Sequence, residues 1–176
     1  VLSADDAEAI RAWQVLVHGG LAPLAAHVLA GGGQLASAAP RLREALQSAL
    51  EVNAVRNAVL RRAAVEASRA LGTAGLTPLW AKGIWLAHAV YPQPALRTMS
   101  DIDLIVPEGS RADARRVLEQ LGYVAEDAHQ GGAAAWTDTM TAPAANPGDV
   151  TVQIDLHDSI RLSAAHAWPV ARLWDG

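Results

Sequence analysis

The chain has 176 residues, of which 51% are hydrophobic and 18% are charged, and this composition fits a globular domain and excludes a disordered chain. Its formal net charge of -4 argues against a protein that coats nucleic acid or an anionic membrane through bulk charge. The absence of cysteine excludes disulfides, thiolate metal sites and cysteine nucleophiles. No secretory signal is visible in the first residues given, and no apolar run is long enough to span a membrane, so we expect a cytoplasmic protein.

The first part of the chain is predicted to be helical. Acidic residues after Ser3 indicate a helix start, and apolar residues recur at helical spacing up to His18. A second short helix is predicted over 21–29, before a run of three glycines. Nothing breaks the helical pattern over 41–71, so one long helix is expected there. We assign residues 1–75 to a helical N-terminal region.

Strands and helices alternate in the rest of the chain, and residues 76–176 are interpreted as an α/β core that forms one compact unit with the helical region. Apolar runs, alternation of period 2 and turn residues separate the two kinds of element. Helices are predicted over 84–90 and 108–121. Strands are predicted over 76–81, 101–106, 123–125, 134–139 and 150–157.

Two aspartates on one predicted strand carry the strongest chemical signal. Asp101 and Asp103 are two residues apart, so both carboxylates point to one face. Neighbouring like charges are unfavourable alone, but a divalent cation such as Mg²⁺ favours carboxylate oxygens and removes the repulsion. Asp155 lies on the polar face of a later strand, and three carboxylates converge if the two strands are neighbours. Such a set suits phosphoryl or nucleotidyl transfer, although alternating acids also occur on surface strands.

A lysine and a glycine occupy a predicted turn between a strand and a helix. Backbone N–H groups at a helix start bind anions, and the ammonium of Lys82 beside Gly83 can contact a triphosphate. Arg97 is a second candidate phosphate contact through its planar guanidinium. The alternative for Lys82 is an ordinary turn in which the lysine is solvated. The alternative for Arg97 is an arginine on a surface loop.

Four further polar residues are secondary candidates. His157 shares a face with Asp155 and could reach a metal or a phosphate, but a hydrogen-bonded structural histidine is favoured. Asn53, Arg56 and Asn57 share one face of the long helix and could line a cleft. For these three, a polar surface stripe or buried bonds from the helix to a loop is an equally good interpretation.

The order of these motifs resembles a known family. The segment LWAKGIWLAHAVYPQPALRTMSDIDLIVPEGSRADARRVLEQLGY, followed by VQIDLH, is similar to the uncharacterised bacterial nucleotidyltransferase family of the DNA polymerase beta-like superfamily. The segments VLVHGGLAPLAAHVL and NAVRN extend the resemblance over most of the chain. It implies an α+β fold in which a helical N-terminal part packs on a small mixed β-sheet of the nucleotidyltransferase type.

The resemblance also implies roles for individual residues. Asp101 and Asp103 match the paired metal-binding and catalytic aspartates, Asp155 matches the third carboxylate, and Lys82-Gly83 matches the turn that binds the nucleotide phosphates. The chain departs from the superfamily where Ile84 follows Gly83, because a glycine or serine is common there. The chain also ends soon after Asp155, where related proteins often continue into further helices, so a truncated C-terminal part is expected.

These observations predict a Mg²⁺-dependent or Mn²⁺-dependent nucleotidyltransferase that moves a nucleoside monophosphate from an NTP, such as ATP, to an unknown acceptor. The acceptor is expected to be a small molecule or a protein, since the acidic net charge disfavours nucleic acid and no membrane partner is indicated. The alanine-rich helices would permit a homodimer. Two alternatives stay open: a nucleotidyltransferase-fold binding or accessory module, antitoxin-like and without catalysis, and a metal-dependent phosphohydrolase that uses water as the acceptor.

Overall fold

The computed structural model describes residues 4–126, 137–142, 149–163, 166–168 and 173–174, and these residues form an α+β fold. The α-helices in these ranges are Ala4–His18 (α1), Ala22–Gly31 (α2), Pro40–Thr73 (α3), Lys82–Ala89 (α4) and Arg111–Gln120 (α5). Short 3-10 helices occupy Leu35–Ser37 and Pro94–Leu96. The strands are Leu79–Ala81 (β1), Ile102–Ile105 (β2), Val124–Ala125 (β3), Thr137–Ala142 (β4), Val152–His157 (β5), Ile160–Ser163 (β6) and His166–Trp168 (β7).

The strands form a mixed five-stranded sheet and a separate hairpin. The sheet has the order β1-β2-β5-β4-β3, and β6 pairs with β7. β2 and β5 run parallel, whereas β1, β4 and β3 pair antiparallel with their neighbours. The α+β fold with a small mixed sheet that the resemblance implies is therefore confirmed.

Most predicted elements are present, with shifted ends. The predicted strand over 76–81 begins only at Leu79, and the last predicted strand begins at Val152. The predicted strand over 134–139 corresponds to β4, although residues 134–136 lie outside the described residues. The 3-10 helices and the β6-β7 hairpin were not predicted.

The predicted turn at Lys82-Gly83, before a helix that starts at residue 84, is wrong. The helix begins at Lys82, directly after β1, so Lys82 and Gly83 are its first two residues. The physical reason lies in the backbone of Lys82, whose φ of +45° is in the left-handed region and changes the chain direction without intervening residues.

The chain divides into two compact units. The first consists of Val1–Ala58 and Trp85–Met99, and the second of Val59–Ile84 and Ser100–Gly176. The regions 1–75 and 76–176 stay an interpretation of the sequence.

In the first unit, a small buried cluster joins α2 to α3. Ala22 and Ala26 of α2 and Leu46 of α3 are buried together, and Trp13 and Leu16 of α1 pack against them. The apolar faces predicted for these helices therefore meet within this unit.

In the second unit, the core lies on one face of the sheet. Ile102 and Leu104 of β2 and Ile154 and Leu156 of β5 are fully buried, and α5 contacts β3, β4 and β5. Because successive residues of a strand point to opposite faces, the aspartates between these apolar residues point to the other face of the sheet.

No single helix among the described residues is long and apolar enough to cross a membrane. The pair Ala7–His18 and Ala22–Gly31 reaches the required length and hydropathy together, but the two helices are bent by 119° at the break between them.

Candidate functional site

The parallel pair β2-β5 brings two aspartates side by side. In this pairing the Cα of Asp103 lies opposite that of Asp155, and paired residues of neighbouring strands point to the same face. The same row of the sheet continues to Ala81 on β1 and Thr139 on β4. The condition under which the sequence predicted converging carboxylates, that the two strands are neighbours, is thus met for Asp103 and Asp155.

A histidine on β5 joins this pair. His157 Nε2 lies 2.8 Å from Asp103 Oδ1, and its Nδ1 lies 3.1 Å from the hydroxyl of Thr137. An ionised carboxylate can only accept a hydrogen bond, so the Nε2 atom carries the hydrogen in this arrangement. The hydrogen-bonded histidine favoured by the sequence is therefore found, and its partner is a site aspartate.

The second carboxylate is held by neutral donors. Thr139 Oγ1 donates to Asp155 Oδ1 at 2.9 Å, and Gln153 Nε2 donates to the same atom at 3.2 Å. Sequence reasoning missed Thr137, Thr139 and Gln153. The alternation of threonines at 137, 139 and 141 was the available signal, because a strand with this pattern presents its hydroxyls on one face.

Lys82 forms an ion pair with the buried aspartate. Its Nζ lies 2.6 Å from Asp103 Oδ1, and the side chain of Lys82 is 66% exposed whereas that of Asp103 is 4% exposed. Lys82 is also the one residue other than glycine with a positive φ in the described ranges. A backbone conformation that is strained for a lysine frequently marks a functional position.

The ion pair shifts the pKa values of both partners. Burial acts to raise the pKa of Asp103, but hydrogen bonds from His157 and Lys82 outweigh burial and bring this pKa below its ordinary value of 3.8. The hydrogen bond to Asp103 raises the pKa of Lys82 above 10.5, against the effect of burial, and the charges of Asp103, Asp155 and Asp101 act in the same direction. Both partners are therefore ionised at neutral pH.

Asp103, Asp155 and His157 form a group that could hold a metal ion. Each offers one ligand atom, and these atoms lie within 4.8 Å of one another. Asp101 is outside this group: it precedes β2, is half-buried and accepts a hydrogen bond from Ser100 at 3.2 Å. The metal-binding role of Asp101 stays a prediction.

The predicted helix residues Asn53 and Asn57 lie in the first unit and are buried. Asn53 Nδ2 donates to the backbone carbonyls of Ala95 and Arg97, and Asn57 Nδ2 donates to those of Pro94 and Arg97. Both asparagines thus make bonds from the helix to a loop, which is one of the two structural alternatives.

The two predicted arginines also belong to the first unit. Arg56 Nε donates to the carbonyl of Met99 at 2.9 Å. The Nε atom of Arg97 is buried and has no hydrogen-bond partner among the described residues. Their predicted roles in a cleft and at a phosphate stay predictions.

Among the comparisons with known proteins, only the comparison with protein families gives a match. No curated protein and no solved structure matches the chain. The sequence model of a family described as uncharacterised nucleotidyltransferase matches residues 5–176. Because this match spans both compact units and every strand of the sheet that carries the Asp-Asp-His group, the chain belongs to the uncharacterised nucleotidyltransferase family.

Proposed function

We propose that the protein transfers a nucleoside monophosphate from an NTP to an acceptor hydroxyl, in a reaction that requires Mg²⁺ or Mn²⁺. Membership of a nucleotidyltransferase family supports the reaction class. The observation that carries the proposal is the position of Asp103 and Asp155 opposite each other on parallel neighbouring strands, with His157 beside them.

The donor set fits a hard divalent cation. Two carboxylates supply the oxygen ligands that Mg²⁺ prefers, and Mn²⁺ also binds carboxylates. Imidazole is a further possible ligand, although His157 Nε2 is engaged by Asp103 in this structure. A cation held by Asp103 and Asp155 would supply charge stabilisation to the phosphoryl oxygens of the nucleotide.

The neighbouring side chains orient these groups before any substrate arrives. Thr139 and Gln153 hold one oxygen of Asp155, and Thr137 contacts the ring of His157. Asp155 is half-buried and accepts hydrogen bonds from the neutral side chains of Thr139 and Gln153, so we assign to it the activation of the acceptor hydroxyl. Fixed second partners of this kind reduce the reorganisation that the reaction requires.

The nucleotide contacts are proposed from the sequence. Lys82 and Gly83 at the start of α4 would contact the phosphates of the NTP, because backbone N–H groups and an ammonium both bind phosphate oxygens. Arg97 stays a predicted phosphate contact, and Asp101 a predicted further metal ligand.

A transfer assay with labelled nucleotide tests the proposal. The four α-labelled NTPs are incubated with Mg²⁺, the protein and mixtures of small-molecule or protein acceptors, and pyrophosphate is measured in parallel. We expect Asp103→Asn and Asp155→Asn to reduce transfer by at least about 100-fold, the scale on which one electrostatic contact acts in catalysis. The matched control is Asp113→Asn, which removes an exposed acid on α5; equal loss of transfer in this control would count against the assignment.

One observation favours a second candidate, a nucleotide-binding module without catalysis. The charge of Asp103 is already compensated inside the chain, since the same oxygen contacts Lys82 and His157. Such a module would bind an NTP and release no pyrophosphate. Measuring nucleotide binding and pyrophosphate on the same sample separates the two candidates.

A further inference from the structure

Lys82 is the only lysine of the chain, and its ammonium contacts a carboxylate of the candidate metal group. We propose that Lys82 is an exchangeable counter-ion of Asp103: it neutralises this carboxylate in the metal-free protein, and it leaves when a divalent cation binds, which frees the ammonium for the nucleotide phosphates. This inference rests on the proposed function, because it assumes that a metal binds at Asp103.

The metal-free site needs a cation because of where Asp103 lies. Its side chain is 4% exposed, and a buried carboxylate is stable only when it is paired and hydrogen-bonded. One oxygen, Oδ1, receives both Lys82 Nζ at 2.6 Å and His157 Nε2 at 2.8 Å. Asp155 also lies close by, and its negative charge would repel that of Asp103 without a positive charge near them.

A divalent cation and the ammonium compete for the same carboxylate. A divalent cation on either oxygen of this carboxylate would lie close to the ammonium and repel it strongly, so binding of the metal displaces Lys82. The side chain of Lys82 is 66% exposed, and its four-carbon stem is flexible. The ammonium can therefore move into solvent without disturbing the buried face of the sheet.

Displacement of the Lys82 ammonium couples the binding of the metal to the binding of the nucleotide. The backbone of Lys82 is held at the junction of β1 and α4, so a released ammonium stays close to the Asp103 carboxylate. There it can contact the phosphates of a nucleotide that accompanies the metal. Each ligand then raises the affinity for the other, as linkage requires.

The single lysine makes the displacement directly measurable. An amine-acetylating reagent can modify only Lys82 and the α-amino group of the chain, and the α-amino group serves as an internal reference. Mass spectrometry of proteolytic peptides gives the two rates separately. We expect Mn²⁺ to raise the relative rate at Lys82 by about fivefold or more, and Mn²⁺ with an NTP to lower it again. A rate at Lys82 that Mn²⁺ leaves unchanged, at concentrations where the metal is bound, overturns the inference.

Bound Mn²⁺ is followed independently by electron paramagnetic resonance. We expect Lys82→Met to bind Mn²⁺ about fivefold more tightly than the wild type without nucleotide, and Lys82→Arg to resemble the wild type. If Asp103→Asn abolishes Mn²⁺ binding but the acetylation rate at Lys82 does not change when Mn²⁺ binds the wild type, only the counter-ion role is overturned. If the wild type binds no Mn²⁺ at all, both this role and the proposed function are overturned.

Discussion

At the residue scale, the buried carboxylate of Asp103 contacts both Lys82 and His157, and its burial and these contacts together determine its pKa. Burial acts to raise its pKa, but hydrogen bonds from His157 and Lys82 bring it below 3.8. A carboxylate whose pKa is lowered by folding stabilises the folded state above its unfolded-state pKa, and this contribution is lost as the pH falls through its folded-state pKa. We therefore expect the free energy of unfolding to fall more steeply in the wild type than in Asp103→Asn between about pH 5 and pH 2. Urea denaturation followed by tryptophan fluorescence measures the free energy of unfolding against pH for both proteins. Parallel pH profiles would contradict a lowered pKa of Asp103.

The backbone of Lys82 gives a second prediction at this scale. Its φ of +45° lies in a region that costs a residue with a Cβ about 1 kcal/mol or more and that glycine adopts freely. Lys82→Gly and Lys82→Ala both remove the ion pair with Asp103, so the loss of this ion pair cancels from their difference in stability. We expect the glycine variant to be about 1 kcal/mol more stable in urea denaturation. An alanine variant of equal or greater stability would show that this backbone is unstrained.

The spacing of charged residues along the strands identified part of the site. It selected Asp101, Asp103 and Asp155, because strand periodicity is local and places alternate residues on one face. The structure brings Asp103 and Asp155 together, whereas Asp101 precedes β2 and lies outside the group. It did not give the contacts of Thr137 and Thr139, since these depend on the register between β4 and β5. The ion pair of Lys82 was also missed, because it joins residues that are distant in the sequence.

At the element scale, two asparagines of α3 fix the loop around the second 3-10 helix. Asn57 is 2% exposed, and its Nδ2 donates to the carbonyls of Pro94 and Arg97 at 2.6 and 2.8 Å. Asn57→Ala removes the hydrogen bond to the carbonyl of Pro94 and leaves the carbonyl of Arg97 with Asn53 as its donor, which we expect to cost about 1–3 kcal/mol of unfolding free energy. Glu51→Ala, at an exposed position of the same helix, is the matched control and should change stability by less than about 0.5 kcal/mol. Equal effects of the two substitutions would argue against a role for these bonds.

How well each element could be predicted depends on how many residues carry its periodic sequence pattern. The long helix α3 was predicted closely, because an uninterrupted helical pattern is local. The β6-β7 hairpin was missed, since short strands carry few periodic residues. The start of α4 was placed two residues late, because the sequence does not show that a lysine adopts a positive φ.

At the scale of the whole molecule, the family match and the strand order both support the proposed nucleotidyl transfer. The match covers residues 5–176, and the order β1-β2-β5-β4-β3 places the strands that carry Asp103 and Asp155 next to each other. Sequence reasoning could state that convergence requires neighbouring strands, but it could not derive the strand order, because pairing between distant segments leaves no local pattern.

Thermal unfolding with each of the four NTPs, with and without Mg²⁺, tests the central claim most directly. A ligand that binds only the folded state stabilises it by about 2.7 kcal/mol at 100 times its Kd, and each kcal/mol raises the Tm of a chain of this size by about 2–4 °C. The account predicts a rise of several degrees in the wild type and in Asp113→Asn when NTP and Mg²⁺ are present together, and no such rise in Asp103→Asn. The absence of a rise at millimolar NTP, or an equal rise in Asp103→Asn, would contradict a metal-dependent nucleotide site at Asp103 and Asp155.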